Sequence, residues 1–155
     1  MCAVCMMARD KGDVNVAYHM PLYPMLNNFE TESSRDNHAH VWNTKINRFA
    51  WKMYLRGSAK ENVSPYASPS SQSDYTGLPP AYTYIGDGDP FYSETVTYVE
   101  NLKRAGVAVQ FDVYHSNIHA LDMMMPEKEL SQKIADRFNE VFATAQKTYF
   151  APQNK

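Results

Sequence analysis

The stretch LPPAYTYIGDGDPF, residues 78–91, decides the fold. Behind a double proline it sets an aromatic and β-branched run that stops in a turn of Gly86, Asp87, Gly88 and Asp89. Glycine tolerates unusual backbone angles and aspartate bonds its own backbone, so the stretch reads as a strand emptying into a polar loop. Downstream, Val96, Val99 and Leu102 form one helical stripe; Lys103 and Arg104 complement the dipole in its last turn, and Gly106 ends it. Residues 107–114 read as a second strand. A final amphipathic helix begins at Pro126, with Glu127 and Glu129 in its first turn and apolar residues at Leu130, Ile134, Phe138, Val141, Phe142 and Ala145.

Upstream, MCAVCMMARDKG (1–12) reads as a buried helix, apolar on every side up to Ala8, with a solvated last turn at Arg9, Asp10 and Lys11 and a stop at Gly12. VNVAYHMPLYP (14–24) reads as a strand buried on both faces. Residues 25–80 form an excursion, part helix and part ordered loop. Its helix is VWNTKINRFAWKMYL (41–55), whose aromatic residues suit core or cap packing better than a lipid-binding patch; SPYASPSSQSDYTGLPP (64–80) is too rich in Pro and Ser for regular structure. The order of elements predicts an α/β fold, a three-stranded mostly parallel sheet with flanking helices. Ligands of such sheets sit outside the carboxyl ends of the strands. Chemistry is therefore sought after Tyr84, at Asp87 and Asp89, and after Tyr114, at His115 and His119.

A length of 155 residues with 44% hydrophobic content suits a single domain, residues 1–155. The formal net charge of −2 is dispersed, which argues against nucleic acid as a partner. The apolar start is too short for a signal peptide or a membrane span, so a cytoplasmic protein is expected. Cys2 and Cys5 stand at the spacing of a metal knuckle or redox pair. A structural zinc needs four ligands, and buried helix cysteines in a reducing compartment are the better reading. The spacings of His115 with His119 and of His38 with His40 permit a metal but lack a carboxylate helix motif, so no metal and no cofactor is expected.

LPPAYTYIGDGDPF, the helix end NLKRAGV (101–107) and VQFDVYHSNIHAL (109–121) together resemble the hormone-sensitive-lipase-like branch of the α/β-hydrolase fold, the bacterial acetyl esterases and lipases. ARDKG, LYPML, SSRDN and SPYASP extend the likeness from about residue 3 to 145. The resemblance implies a serine carboxylesterase acting on short-chain carboxylic esters, with Asp89 as triad acid, His119 as triad base, and Asp87 as a turn residue or supporting hydrogen-bond partner. Two departures stand out. The base lies in His-Ala-Leu where the family has His-Gly-Phe. No serine stands in a G-x-S-x-G elbow and no two glycines are adjacent, so the nucleophile and the oxyanion loop are missing. In the family the elbow immediately precedes the first helix, which would place it ahead of Met1. The resemblance thus implies the C-terminal half of an esterase, without the N-terminal cap that makes most of the acyl pocket, inactive by itself. The alternative is a non-catalytic remnant or assembly module that forms a homodimer, or complements a separate N-terminal half, through an open sheet edge.

Overall fold

The computed structural model describes residues 1–56 and 60–153, and β1 (Ala81–Gly86) lies at its centre. Every β1 side chain before Gly86 is buried, because helices cover both faces. Ala81 packs with Cys5, Met6, Tyr98 and Leu102, which come from α1 (Cys2–Lys11) and α3 (Tyr92–Arg104). Tyr82 and Tyr84 pack with Leu121, Ile134 and Val141, which come from α4 (Leu121–Met124) and α5 (Glu129–Thr148). Full burial of a side chain of leucine size contributes about 2 kcal/mol, so the two clusters hold the helices on the sheet.

β2 (Val109–Tyr114) runs parallel to β1 in a register from Ala81 opposite Val109 to Gly86 opposite Tyr114. It starts two residues later than expected because the end of α3 uses that backbone: Gly106, at φ 75°, donates to Lys103 O, and Val107 N–H donates to Leu102 O. The last helix also starts late. Leu121–Met124 winds as α4 first, and Pro126 sits in the turn before Glu129.

Among the described residues the sheet has two strands rather than three. Residues 14–24 run along the free side of β1 but form one bridge, His19 to Ala81. His19 N–H donates to Pro80 O, Tyr82 N–H to His19 O, and Tyr23 N–H to Tyr84 O. A parallel ladder needs residue 21 to donate between these bonds, and Pro21 has no N–H. The ladder breaks there, and Pro21 O accepts the Thr83 hydroxyl instead. Nor is the segment buried throughout: His19 and Pro21 are enclosed, whereas Val14 is 52% exposed.

In the excursion, α2 (Thr44–Leu55) begins where the Asn43 side chain accepts from the N–H groups of Lys45 and Ile46. That cap fixes the start three residues after Val41. Trp51 packs inward, but Phe49, Met53 and Tyr54 face outward, so the expected packing role falls to Trp51 and Trp42. The last turn of α1 also differs from expectation. Arg9 Nη1 donates to Asp74 O and Thr76 O, both at 2.9 Å, tying α1 to the end of the excursion. No helix among the described residues is long and apolar enough to cross a membrane.

Candidate active site

The loops after β1 and β2 close on each other backbone to backbone. Asp87 N–H donates to Tyr114 O at 2.9 Å and Gly88 N–H to Ser116 O at 3.0 Å. A Cβ on Gly86 would stand 2.3 Å from Ser116 O, and one on Gly88 would stand 2.8 Å from Asn117 Cβ. Both glycines are therefore set by close approach.

This closure brings the aspartates and histidines together in two pairs. Asp89, 1% exposed, follows the turn closed by its own N–H to Gly86 O. Its Oδ1 accepts the Phe91 N–H at 2.9 Å, and its Oδ2 lies 2.8 Å from His119 Nδ1. Three rings wall the imidazole: Tyr23 at 4.9 Å and Phe91 at 5.1 Å, both edge to face, and Trp42 at 5.7 Å. Tyr23 of this wall, at φ 36°, and Ala120, the residue after His119, at φ 53°, hold left-handed backbone that non-glycine residues seldom adopt. Ala120 is the departure from His-Gly-Phe, and the glycine it replaces would fit this angle without strain.

The second pair lies outside. Asp87 Oδ2 is 2.7 Å from His115 Nδ1, and Asp87 Oδ1 accepts the Ser116 N–H at 3.1 Å. Their shared hydrogen bond raises the pKa of His115 and lowers that of Asp87. Asp87 thus closes the loops together, in line with a supporting role.

In the inner pair, a carboxylate that accepts from Nδ1–H leaves the Nε2 lone pair as a base and stabilises the imidazolium that forms when it takes a proton. Among the described residues His119 Nε2 has no protein partner.

Sequence reasoning missed Glu94. It is 1% exposed, its Oε1 accepts the N–H groups of Leu26 and Asn27, and its Oε2 has no partner. Burial pushes its carboxyl up to about 8, and the nearby Asp89 charge acts in the same direction. The available signal was position: Glu94, Tyr98 and Leu102 recur at four-residue spacing, which sets a carboxyl on an inward stripe.

The other candidates stand apart from the dyad. Cys2 and Cys5 are free and buried, and burial raises both thiols, Cys2 to about 11, so neither is an activated nucleophile. His38 pairs with Asp36 on the surface, and His40 is exposed. Among the described residues no three His, Cys, Asp or Glu side chains converge on a possible metal position. His19 is a core residue, 3.0 Å from the Tyr98 hydroxyl, and burial pushes it down to about 4.

A sequence model described as alpha/beta hydrolase fold matches residues 1–123, and the chain belongs to that family. The resemblance to the bacterial esterases of its hormone-sensitive-lipase-like branch also holds in three dimensions. The esterase LipW from Mycobacterium marinum superposes with a TM-score of 0.86 at 24% identity, over 93% of this chain and 45% of its own. A bacterial heroin esterase gives 0.83 at 30% identity, over 88% and 44%. An esterase of the archaeon Pyrobaculum calidifontis gives 0.76 at 27% identity, over 88% and 46%. The chain thus spans less than half the length of these esterases. No curated protein sequence matches it.

Proposed function

We propose that Asp89 and His119 are the acid and base of a serine esterase site for short-chain carboxylic esters, carried by one domain, residues 1–155. The observation that supports this reading is the part-buried bond from Asp89 Oδ2 to His119 Nδ1, with Nε2 left without a protein partner among the described residues. In the reaction, Nε2 takes the proton of a nucleophilic hydroxyl as its oxygen bonds the ester carbonyl carbon. Asp89 steadies the imidazolium, which then protonates the departing alkoxide. Water attacks the resulting acyl group by the same exchange, and the serine is released. The hydroxyl and the oxyanion donors lie outside these 155 residues, since no serine among them stands in a G-x-S-x-G elbow and no two glycines adjoin. The purified chain is therefore expected to leave p-nitrophenyl acetate at the background rate; turnover that disappears in His119→Ala would overturn this. A chimera carrying the first half of a matched esterase ahead of residue 1 is expected to hydrolyse the ester. It should lose on the order of 10³-fold or more with His119→Ala, as removal of a triad member does elsewhere.

A second reading, an assembly module, draws on the free side of residues 14–24. His19 and Tyr23 direct their N–H groups at β1, and among the described residues those of Met20 and Leu22 meet no acceptor. The same segment borders an apolar cleft of about 530 Å³, lined also by Trp51 and Tyr54 and by neither Asp89 nor His119. Such an edge invites pairing with a second copy or with a separate complementing half. A clean monomer in gel filtration over a wide concentration range counts against the dimer, and no shift on mixing with a candidate half counts against the complement.

A further inference from the structure

Two polar side chains of the excursion hold the residues on either side of the acid. Ser33 Oγ donates to Pro90 O at 2.8 Å and accepts the Ser93 N–H at 2.9 Å. Asn37 Nδ2 donates to Gly88 O at 3.3 Å and to Ser33 O at 3.1 Å. The carbonyls of the two residues that flank Asp89, Gly88 and Pro90, are thus each held by a side chain of one five-residue stretch, SSRDN. That stretch is itself fixed. Asn37 N–H donates to Thr44 Oγ1 at 2.7 Å, Asn37 Oδ1 accepts the Ala39 N–H at 3.0 Å, and Thr44 Oγ1 donates to Ser34 O at 2.8 Å.

Asp89 needs such a hold because of its neighbour. Gly88 is demanded by its close approach to Asn117, but glycine is the residue with the freest backbone. Rotation about the peptide between Gly88 and Asp89 swings the carboxylate, and a displacement of about 1 Å is enough to spoil catalytic geometry. Asp89 N–H bonds Gly86 O and Asp89 O accepts the Tyr92 N–H; the bonds to Gly88 O and Pro90 O add a hold on the residue at either side and oppose that rotation.

We propose that Ser33 and Asn37 are positioning residues for the acid: their bonds to Pro90 O and Gly88 O set the Asp89 backbone so that Oδ2 meets His119 Nδ1. This rests on reading Asp89 and His119 as acid and base. Neither Ser33 nor Asn37 touches His119; they act through Asp89.

The test follows the Nδ1 proton of His119 by NMR of the chain labelled with ¹⁵N-histidine, so no ester turnover is required. In the native chain this proton is expected to exchange slowly with water. Asn37→Asp keeps the size and the acceptor for Ala39 N–H but removes the donor to Gly88 O; Ser33→Ala removes the donor to Pro90 O. Each should speed exchange up to about tenfold, the effect of one hydrogen bond, while the circular dichroism stays native. Ser33→Thr, which keeps the hydroxyl, should restore the slow rate. Arg48→Ala, which breaks the exposed Arg48–Glu30 pair of the same excursion, should leave the rate alone. Native rates in both Asn37→Asp and Ser33→Ala overturn the proposal, and so does equal acceleration in Arg48→Ala. Should one variant fail to fold, the other decides. A native chain with no protected Nδ1 proton would sink the acid–base reading itself, an outcome visible before any variant is made.

Discussion

Two histidine–aspartate pairs join the same two loops, and their bond lengths barely differ: 2.7 Å for His115 with Asp87, 2.8 Å for His119 with Asp89. Their surroundings are opposite. The outer side chains are 98% and 43% exposed, the inner ones 15% and 2%. Water screens the outer pair and leaves His115 free to turn away, so its bond contributes little. The inner pair cannot turn, because three aromatic rings wall the imidazole and Asp89 Oδ1 is also held by the Phe91 N–H ahead of α3. Bond length alone therefore does not mark a site; enclosure and immobility do.

The comparison breaks most strongly through pH, because the inner pair has a buried carboxyl, Glu94, for a neighbour. The folded chain holds the Glu94 proton more tightly than the unfolded one does. Its contribution to stability is complete below 4.5 and is lost as pH rises through about 8. The loss reaches at most ~5 kcal/mol. Urea midpoints measured from pH 5 to 9 should fall in the native chain and flatten in Glu94→Gln; identical alkaline limbs would sink the claim. His19 works the other way. Its lowered pKa gives a contribution present above 6.5 and lost as pH falls through about 4. That amounts to ~3 kcal/mol, and His19→Gln should remove the acid limb.

Next in size is Gly86→Ala, which breaks both pairs together. Its Cβ would stand 2.3 Å from Ser116 O, a backbone atom that moves only with the whole base loop. Overpacking of this kind costs about 3 kcal/mol. The urea midpoint should drop accordingly and the His119 Nδ1 proton should lose its protection. A change below about 0.5 kcal/mol would mean that the loops separate freely.

How the inner pair arises shows what was legible in advance. Asp89 and His119 are 30 residues apart, yet β1 and β2 are parallel neighbours whose carboxyl ends empty side by side. Local turn chemistry and strand order therefore sufficed to place Asp87, Asp89, His115 and His119 at one sheet edge, while the choice of Asp89 with His119 came from the resemblance to the esterases. The third strand misled because its composition is that of a strand, while one missing N–H at Pro21 decides whether the ladder continues. Glu94 was passed over for another reason: a carboxylate in a first helical turn satisfies the dipole and raises no alarm, although its four-residue spacing from Tyr98 and Leu102 set it on the inward stripe. Ser33, Asn37 and Arg9 act through one or two long-range bonds each to carbonyl groups. Such bonds leave no periodicity in a polar, Ser-rich segment, so only the folded chain reveals them.

A smaller effect sharpens the inner side of the comparison. Ala120 holds φ 53° immediately after His119, and left-handed backbone costs a non-glycine residue about 1 kcal/mol. Ala120→Gly should raise stability by at most ~1 kcal/mol, offset in part by the greater freedom of the unfolded glycine, and should leave the His119 Nδ1 proton protected. Destabilisation would show that the alanine methyl packs where the backbone angle suggests strain.

The smallest effect belongs to the outer pair. In Asp87→Asn the His115 pKa should fall back to about 6.5, its unperturbed value, because the bond that raises it then lacks a charge. His115, raised when folded, adds stability below 6.5 that is lost as pH climbs through its folded pKa. Asp87, lowered when folded, adds stability above 3.8 that is lost as pH falls through its folded pKa. The two contributions overlap between these limits, so the native chain and Asp87→Asn should differ most, though slightly, at mildly acid pH and converge as pH falls through the folded pKa of Asp87. The Ser116 N–H bond to Asp87 Oδ1 survives in the asparagine variant, and the loops stay closed. The His119 Nδ1 proton should accordingly keep its native exchange rate. Acceleration there would show that the exposed pair, despite its freedom in water, holds the buried one in place.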